Sequence, residues 1–120
     1  MVSNLAMASY PTEAQEQRIV VEWCEWKHVP IFHIPNGGSR DPREARNLKL
    51  QGVKAGVPDL FVPVPNGEYH GLFIEMKREK GGTVSDAQRK WLDYLGSQGY
   101  MAEVCHGATE AISTIRSYIA

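Results

Sequence analysis

Two acids and a lysine are spaced so that a hairpin would place them side by side. Asp59 begins one apolar segment, Glu75 and Lys77 end another, and the pair Asn66-Gly67 lies between the two segments. An Asn-Gly pair between alternating apolar residues is the strongest short-range signal for an antiparallel hairpin. Odd-numbered residues must pair with odd-numbered ones to keep the apolar side chains together, which sets Asp59 opposite Glu75. Lys77 shares their face, because side chains repeat every two residues along a strand.

Opposed residues on one face have Cβ atoms roughly 4.5 to 5.5 Å apart, and two carboxylates that close repel each other unless a cation lies between them. Oxygen ligands without a nearby Cys or His favour Mg²⁺ or Mn²⁺. Lys77 could hold or deprotonate a water, or stabilise charge on a phosphate. Together these groups would suit metal-assisted hydrolysis of a phosphodiester. The alternative is that Asp59 caps a strand and that Glu75 and Lys77 form an ordinary solvated pair on an exposed sheet face.

A third acid could come from the first predicted helix, which opens at Pro11-Thr12 and runs to about His28. Thr12 and Gln15 have the spacing of a capping box. The apolar stripe of this helix is Ile19, Val20, Trp23, Cys24 and Trp26. Glu13 and Glu16 both fall on the side of the stripe, and a core-facing carboxylate is costly unless it is paired. Periodicity leaves Glu13 and Glu16 open as ligands, and both could instead be first-turn acids stabilised by the helix dipole.

The rest of the chain predicts two more strands and three more helices. The strands are 31–34 and 100–105, and the helices are 41–51, 85–98 and 108–119. Ser85 and Gln88 form a second capping box, and a turn through Pro35-Asn36-Gly37-Gly38 follows the first strand. The predicted apolar stripes of the last two helices are Trp91, Leu92 and Leu95, and Ala111, Ile112, Ile115 and Ile119. The element order is αβαββαβα, an α/β fold, and removing the inserted second helix leaves αβββαβ followed by a C-terminal helix.

Composition favours one domain over residues 12–120, preceded by a flexible segment 1–11. Cys24 and Cys105 lack metal-ligand spacing and are expected to be core thiols in a reducing cytoplasm. Neither a membrane-spanning stretch nor a phosphate-binding G-x-x-x-x-G-K-S/T loop is expected, which argues against a nucleotide cofactor. The formal net charge is −1, but basic residues cluster in two places. The clusters are Arg40, Arg43, Arg46, Lys49 and Lys54, and Lys77, Arg78, Lys80, Arg89 and Lys90.

Basic clusters around an acidic centre would suit a phosphate backbone, although each side chain alone could be part of a solvated helix face. Pro58-Asp59 followed by Glu75-Met76-Lys77 resembles the PD-(D/E)XK nuclease signature. Further stretches are similar to the virus-type replication-repair nucleases, the VRR-NUC family, over roughly residues 12 to 106. These stretches are 34–38, 48–49, 52–59 and 85–91.

The resemblance implies a restriction-endonuclease-like core with a mixed central sheet flanked by helices. It implies that Glu13, four residues before Gln17, supplies the third acid, that the backbone carbonyl of Met76 joins the ligands, and that Gln88 faces Lys77. It also places the turn at Asn36 beside the site. Stand-alone phage members of the family are homodimers that cut branched DNA such as four-way junctions. The alternatives are an endonuclease or nickase on ordinary duplexes, and a DNA-binding module without catalysis.

Overall fold

A computed structural model describes residues 10–36 and 40–120. Residues 1–9 of the predicted flexible segment lie outside that part, and so do residues 37–39, which include the last two residues of the predicted turn. Within it the elements, in order, are α1 (Glu13–Trp26), β1 (Phe32–His33), α2 (Pro42–Leu50), β2 (Leu60–Val62), β3 (Leu72–Lys77), α3 (Asp86–Ser97), β4 (Met101–His106) and α4 (Ala108–Ile119). This is the predicted αβββαβ arrangement, with α2 as the inserted helix and α4 as the C-terminal helix.

The four strands form one mixed sheet in the order β1-β2-β3-β4. β1 with β2 and β2 with β3 are antiparallel, whereas β3 with β4 is parallel. Leu60 pairs with Ile74, and the same register continued by one residue sets Asp59 against Glu75. The predicted register is therefore confirmed. The turn closes between Asn66 and Tyr69, whose backbones exchange two hydrogen bonds, and Gly67 adopts a φ of +46° that favours glycine.

The two faces of the sheet have different roles. One face carries the fully buried side chains of Leu60, Ile74 and Met76, and it packs against α1 and α4. The core residues on these two helices are Val20, Cys24, Ala108, Ala111, Ile115 and Tyr118. The other face carries Asp59, Phe61, Phe73, Glu75 and Lys77, and α3 lies over it, since Gln88 of α3 bonds to Glu75. The chemistry-bearing residues thus lie between the sheet and α3.

Burial of Cys24 and Cys105 raises the pKa of each thiol to about 11. Both cysteines are free and buried, as predicted. They remain uncharged at neutral pH and behave as small apolar core residues.

The predicted stripes of two helices were partly wrong. Ile19 is 46% exposed and Trp26 is 72% exposed, so the buried side of α1 is narrower than the predicted stripe and consists of Glu16, Val20 and Cys24. At the end of α4, Tyr118 is buried and Ile119 is not. The Tyr118 hydroxyl donates a 2.7 Å hydrogen bond to the Val64 carbonyl beside the hairpin. Periodicity identifies the side of a helix but not the neighbour that it meets.

The shortest strand is β1, which has two residues instead of the predicted four. It is an edge strand between Pro30 and Pro35, and a proline has no N–H to donate to a ladder. One further backbone bond, from Ile34 N to Asp59 O at 2.8 Å, fastens the end of β1 to the residue that begins the hairpin.

The inserted helix α2 has the predicted start and stop. The Asp41 side chain accepts from Arg43 N, Pro42 occupies the first turn, and Gly52 follows the helix with a φ of +107°. None of the helical residues of α2 is buried. This helix therefore contributes no residue to the hydrophobic core. None of the helices in residues 10–36 and 40–120 combines the length and hydropathy that a membrane span requires.

Candidate active site

The acid pair and the lysine come together on one sheet face. Glu75 is 2% exposed and Lys77 is 6% exposed, which excludes the alternative of a solvated surface pair. Asp59, at the start of β2, is partly buried, and its Oδ2 accepts a 2.7 Å hydrogen bond from the backbone N–H of Met76. This bond fixes the Asp59 carboxylate beside the strand that carries Glu75 and Lys77.

Glu75 lies between Lys77 and Gln88. The Lys77 Nζ is 3.9 Å from Glu75 Oε2, and Gln88 Nε2 donates to the same oxygen at 3.3 Å. The Gln88 Oε1 accepts from Ser85 N at 2.9 Å, so the predicted capping box and a site contact coexist. Since the cap uses the amide oxygen, only the amide N–H groups can point into the site, and these pair with a carboxylate and not with an ammonium group. Gln88 thus bonds to Glu75, on the same oxygen that lies nearest Lys77 Nζ, and the expectation that it faces Lys77 stays a prediction.

The pKa of Glu75 is raised from its ordinary value of 4.5 to about 8. Burial is the largest cause, followed by the hydrogen bond and the charge of Asp59, while Lys77 acts in the opposite direction. At neutral pH without a cation, the protonated form of Glu75 is therefore favoured, because burial and the nearby Asp59 carboxylate both disfavour a charge on Glu75. A divalent cation between them would take the place of that proton.

The two candidate third acids are in different surroundings. Glu16 is 6% exposed, and its Oε2 accepts from Ala108 N at 3.1 Å, at the beginning of α4. Gly107 lies beside it with a φ of +89°, and an added Cβ there would be 2.6 Å from Glu16 Oε2. Glu16 is thus a cap for α4. Glu13 is exposed, and its charge contributes to the raised pKa of Glu75.

The described residues contain no group of three His, Cys, Asp or Glu side chains close enough to hold one ion. The structure therefore brings Asp59 and Glu75 together but does not complete a three-acid site with Glu13. Glu13 stays a predicted ligand, favoured over Glu16 because the Glu16 carboxylate already binds the N-terminus of α4.

Alanine at Glu13 and alanine at Glu16 should have different effects. We expect Glu13→Ala to lower DNA cleavage by about tenfold or more, the scale of a lost charge at a reacting centre, with an unchanged melting temperature. Glu16→Ala should lower the free energy of unfolding by about 1.5 to 3 kcal/mol, the range for a hydrogen bond to a charged group. Thermal unfolding and cleavage well below the melting temperature measure both effects, with exposed Glu25→Ala as control. Lost cleavage in a fully stable Glu16→Ala variant would instead make Glu16 the ligand.

Sequence reasoning missed the role of His33. Its Nδ1 lies 2.8 Å from the Asp59 carbonyl oxygen, and a carbonyl only accepts, so Nδ1 carries the proton. A protonated Nδ1 accepts nothing from the Gln17 amide, which lies 3.1 Å away. His33 is a hydrogen-bonded histidine on an edge strand, and it also fixes the backbone of Asp59. Its period-2 position on β1 gave no signal for that contact.

The predicted DNA-binding residues all lie on the surface. They are Asn36, Arg40, Arg43, Arg46, Lys49 and Lys54, and each is exposed. They lie after β1, along α2 and after α2, outside the cluster formed by Asp59, Glu75 and Lys77. Their interpretation as phosphate contacts stays a prediction.

Known proteins share this fold. A family model described as the VRR-NUC domain matches residues 11–109. One solved structure, a "VRR_NUC domain protein", superposes with a TM-score of 0.77 at 32% identity, covering 92% of this chain and 90% of that one. A second, a "VRR_NUC domain", has a TM-score of 0.61 at 18% identity, covering 90% and 99%, and shows likeness of fold alone. A comparison with curated proteins finds no significant match. The chain belongs to the VRR-NUC family, nucleases of the PD-(D/E)XK type that generally use divalent metals.

Proposed function

We propose that this chain is a Mg²⁺- or Mn²⁺-dependent endonuclease that hydrolyses phosphodiester bonds of DNA. The observation that carries the proposal is the burial of Glu75 and Lys77 beside Asp59 on one sheet face. Burying the Glu75 carboxylate and the Lys77 amine costs free energy that an apolar face would not. Such a cluster is typical of a functional site, where shifted pKa values concentrate.

The donors fit a hard divalent ion. Mg²⁺ is usually bound by one or two carboxylates, with waters and substrate phosphate oxygens as its other ligands, so Asp59 and Glu75 already supply a sufficient set. The carbonyl of Met76, and Glu13, would be further ligands. When bound, the ion would lower the pKa of water and stabilise negative charge on the phosphate.

The remaining roles belong to the side chains around the acids. Lys77, a cation with three N–H donors, would orient the attacking water and stabilise the charge that builds on the phosphate. Gln88 would hold the Glu75 carboxylate in a fixed orientation through the 3.3 Å bond. His33 would do the same for the Asp59 backbone. Catalysis is then mostly a matter of positions set before the DNA arrives.

Basic side chains would bind the DNA backbone. Five basic residues and only two acidic ones occur between Arg40 and Lys54, and α2 exposes its part of them without burying any side chain. A helix that packs so little against its own chain is well suited to contact an external partner. We propose that the basic residues of this helix bind DNA phosphates and that Asn36 contacts the DNA near the phosphate that is cut.

The proposed substrate is branched DNA, such as a four-way junction, in phage replication, recombination or repair in the host cytoplasm. Support comes from the resemblance to stand-alone phage members of the family. Two copies related by a two-fold axis would match a symmetric junction and give paired cuts, so a homodimer is part of the proposal. A nuclease on ordinary duplexes is the second candidate. A binding module without catalysis is disfavoured, since Asp59, Glu75 and Lys77 are all present and clustered.

A junction assay tests this proposal. A labelled four-way junction and a linear duplex of the same sequence are incubated with the protein in Mn²⁺, beside Glu75→Ala. We expect paired, symmetric cuts in the junction at a rate at least tenfold above that of the duplex, lost in Glu75→Ala. Equal rates on both DNAs would favour the duplex nuclease, and equal cleavage by Glu75→Ala would place the chemistry elsewhere. A monomeric mass under fully active conditions would remove the paired-cut mechanism.

A further inference from the structure

A groove lies between the sheet and α3, on the same sheet face as the acid pair. Its volume is about 500 Å³, within the roughly 300 to 1,000 Å³ of small-molecule pockets. Its apolar lining residues include Ile34, Pro35, Val53, Val57, Phe73, Trp91 and Leu95. Lys54 and Gln51 also line it.

The groove lies next to the acid pair, Asp59 and Glu75, along both β3 and α3. Phe73 precedes Glu75 by two residues on β3, which puts the two side chains on one face about 7 Å apart. On α3, Gln88, Trp91 and Leu95 follow the spacing i, i+3, i+7 of a single helix side. Gln88 bonds to Glu75, while Trp91 and Leu95 line the groove with Phe73. A strand cut at the acid pair would therefore have a neighbouring nucleotide within reach of the groove.

The aromatic wall of the groove is held firmly. Phe73 stacks on Phe61 with ring centroids 4.3 Å apart and an interplanar angle of 30°. Gly71 makes room for this stack, because a Cβ there would lie 2.7 Å from the Phe61 ring. Trp91 lines the groove and also a second cavity of about 370 Å³, together with Lys90 and Tyr94. Fixed aromatic rings beside basic side chains are what single-stranded nucleic acid binds, through stacked bases and neutralised phosphates.

We propose that this groove receives an unstacked base of the DNA strand being cut, stacked against Trp91 and Phe73. The proposal rests on the proposed nuclease function and specifies its substrate: DNA in which a base next to the cut phosphate is unpaired or loosely stacked. Stacking a base on an aromatic side chain is worth about 5- to 150-fold in affinity. Extruding a base from an intact duplex has a cost, which is least where the base is already unpaired. The groove would thus favour junctions, flaps and other distorted DNA over regular duplex.

A thermodynamic cycle tests whether Trp91 contacts a base. Dissociation constants are measured in EDTA, which prevents metal-dependent cleavage, for junction DNA that is intact or has one abasic nucleotide at successive positions around the cut site. The variants are Trp91→Ala, Trp91→Phe and, as a control at the exposed end of α1, Trp26→Ala, and thermal unfolding verifies that each is folded.

At one position around the cut site, replacing the nucleotide with an abasic one should lower the affinity of the wild-type protein about tenfold relative to intact DNA. Trp91→Ala should lose about tenfold on intact DNA and little more on that abasic DNA, so the two losses do not add. Trp91→Phe should stay within about threefold of wild type, and Trp26→Ala should be unchanged.

Losses that add at every position, or no loss in Trp91→Ala, would overturn the groove assignment. A Trp91→Ala protein that becomes monomeric without DNA would also overturn it, because the groove would then be a contact between copies. These outcomes are distinct from failure of the nuclease function. Additive losses with undiminished cleavage in Mn²⁺ would remove the base site alone, whereas a wild-type protein that cuts no DNA would remove the function even if the losses are coupled.

Discussion

Lys77→Met should lower kcat for DNA cleavage by about 10²- to 10⁴-fold, the range for a positioned proton-transfer or charge-stabilising group. Methionine keeps much of the length of the lysine side chain, which is 6% exposed, so the fold should persist. The dissociation constant for DNA should change by less than about threefold, because a single buried amine contributes little to backbone binding. Single-turnover cleavage and binding in EDTA measure the two quantities separately.

The control for this variant is Lys27→Met, the same substitution at an exposed lysine beside Trp26. It should cleave at the wild-type rate. If Lys77→Met cleaved at more than about a tenth of the wild-type rate while binding DNA normally, Lys77 would have no part in the chemical step. If it lost DNA binding to the same extent as cleavage, its role would be attraction of the substrate.

Glu75→Gln should change the pH dependence of stability in the metal-free protein. The pKa of Glu75 is about 8 in the folded protein against an ordinary value of 4.5, so between these pH values the folded state binds more protons than the unfolded state. The free energy of unfolding therefore falls as pH rises through this window. Glutamine cannot ionise, so the variant should lack this part of the slope. Its melting temperature in EDTA should exceed that of the wild type at pH 9 and approach it at pH 4.5.

A divalent ion should make the wild type melt at a higher temperature than Glu75→Gln, the reverse of the order expected in EDTA at high pH. Mg²⁺ or Mn²⁺ that binds only the folded state raises its stability by mass action, so millimolar ion should raise the melting temperature of the wild type at pH 8 and leave Glu75→Gln nearly unchanged. Asp59→Asn is a matched variant at the partner acid and should likewise lose the response to the ion. A difference between wild type and Glu75→Gln that is constant from pH 4.5 to 9 would mean that Glu75 titrates normally.

The hairpin could be predicted from the sequence because its determinants are local. Alternation of apolar residues requires odd-numbered residues to pair with odd-numbered ones, and Asn66-Gly67 sets the centre of the hairpin. The pairing of Leu60 with Ile74 follows from these two constraints. The capping boxes at Thr12 and Ser85 are local for the same reason. Burial of Glu75 and Lys77 did not follow, since alternation shows which face they share but not that α3 covers it.

Contacts distant in the sequence account for what the sequence could not supply. Glu16 and Glu13 were equivalent by helical periodicity, and the difference is the backbone of Ala108, 92 residues from Glu16. The bond from His33 to the Asp59 carbonyl likewise joins residues that are distant in the sequence. The groove at Trp91 needs four separate segments to meet, so the spacing within any one of them carried no signal for it.

Diffraction from crystals soaked in Mn²⁺, recorded at a wavelength where manganese scatters anomalously, locates the ion directly. We expect an anomalous peak between the carboxylates of Asp59 and Glu75, within ligand distance of both and next to the Met76 carbonyl. The same soak of Glu75→Gln crystals should lose this peak. A wild-type crystal with no peak between the two acids, at an ion concentration that supports full cleavage, would contradict the proposed site.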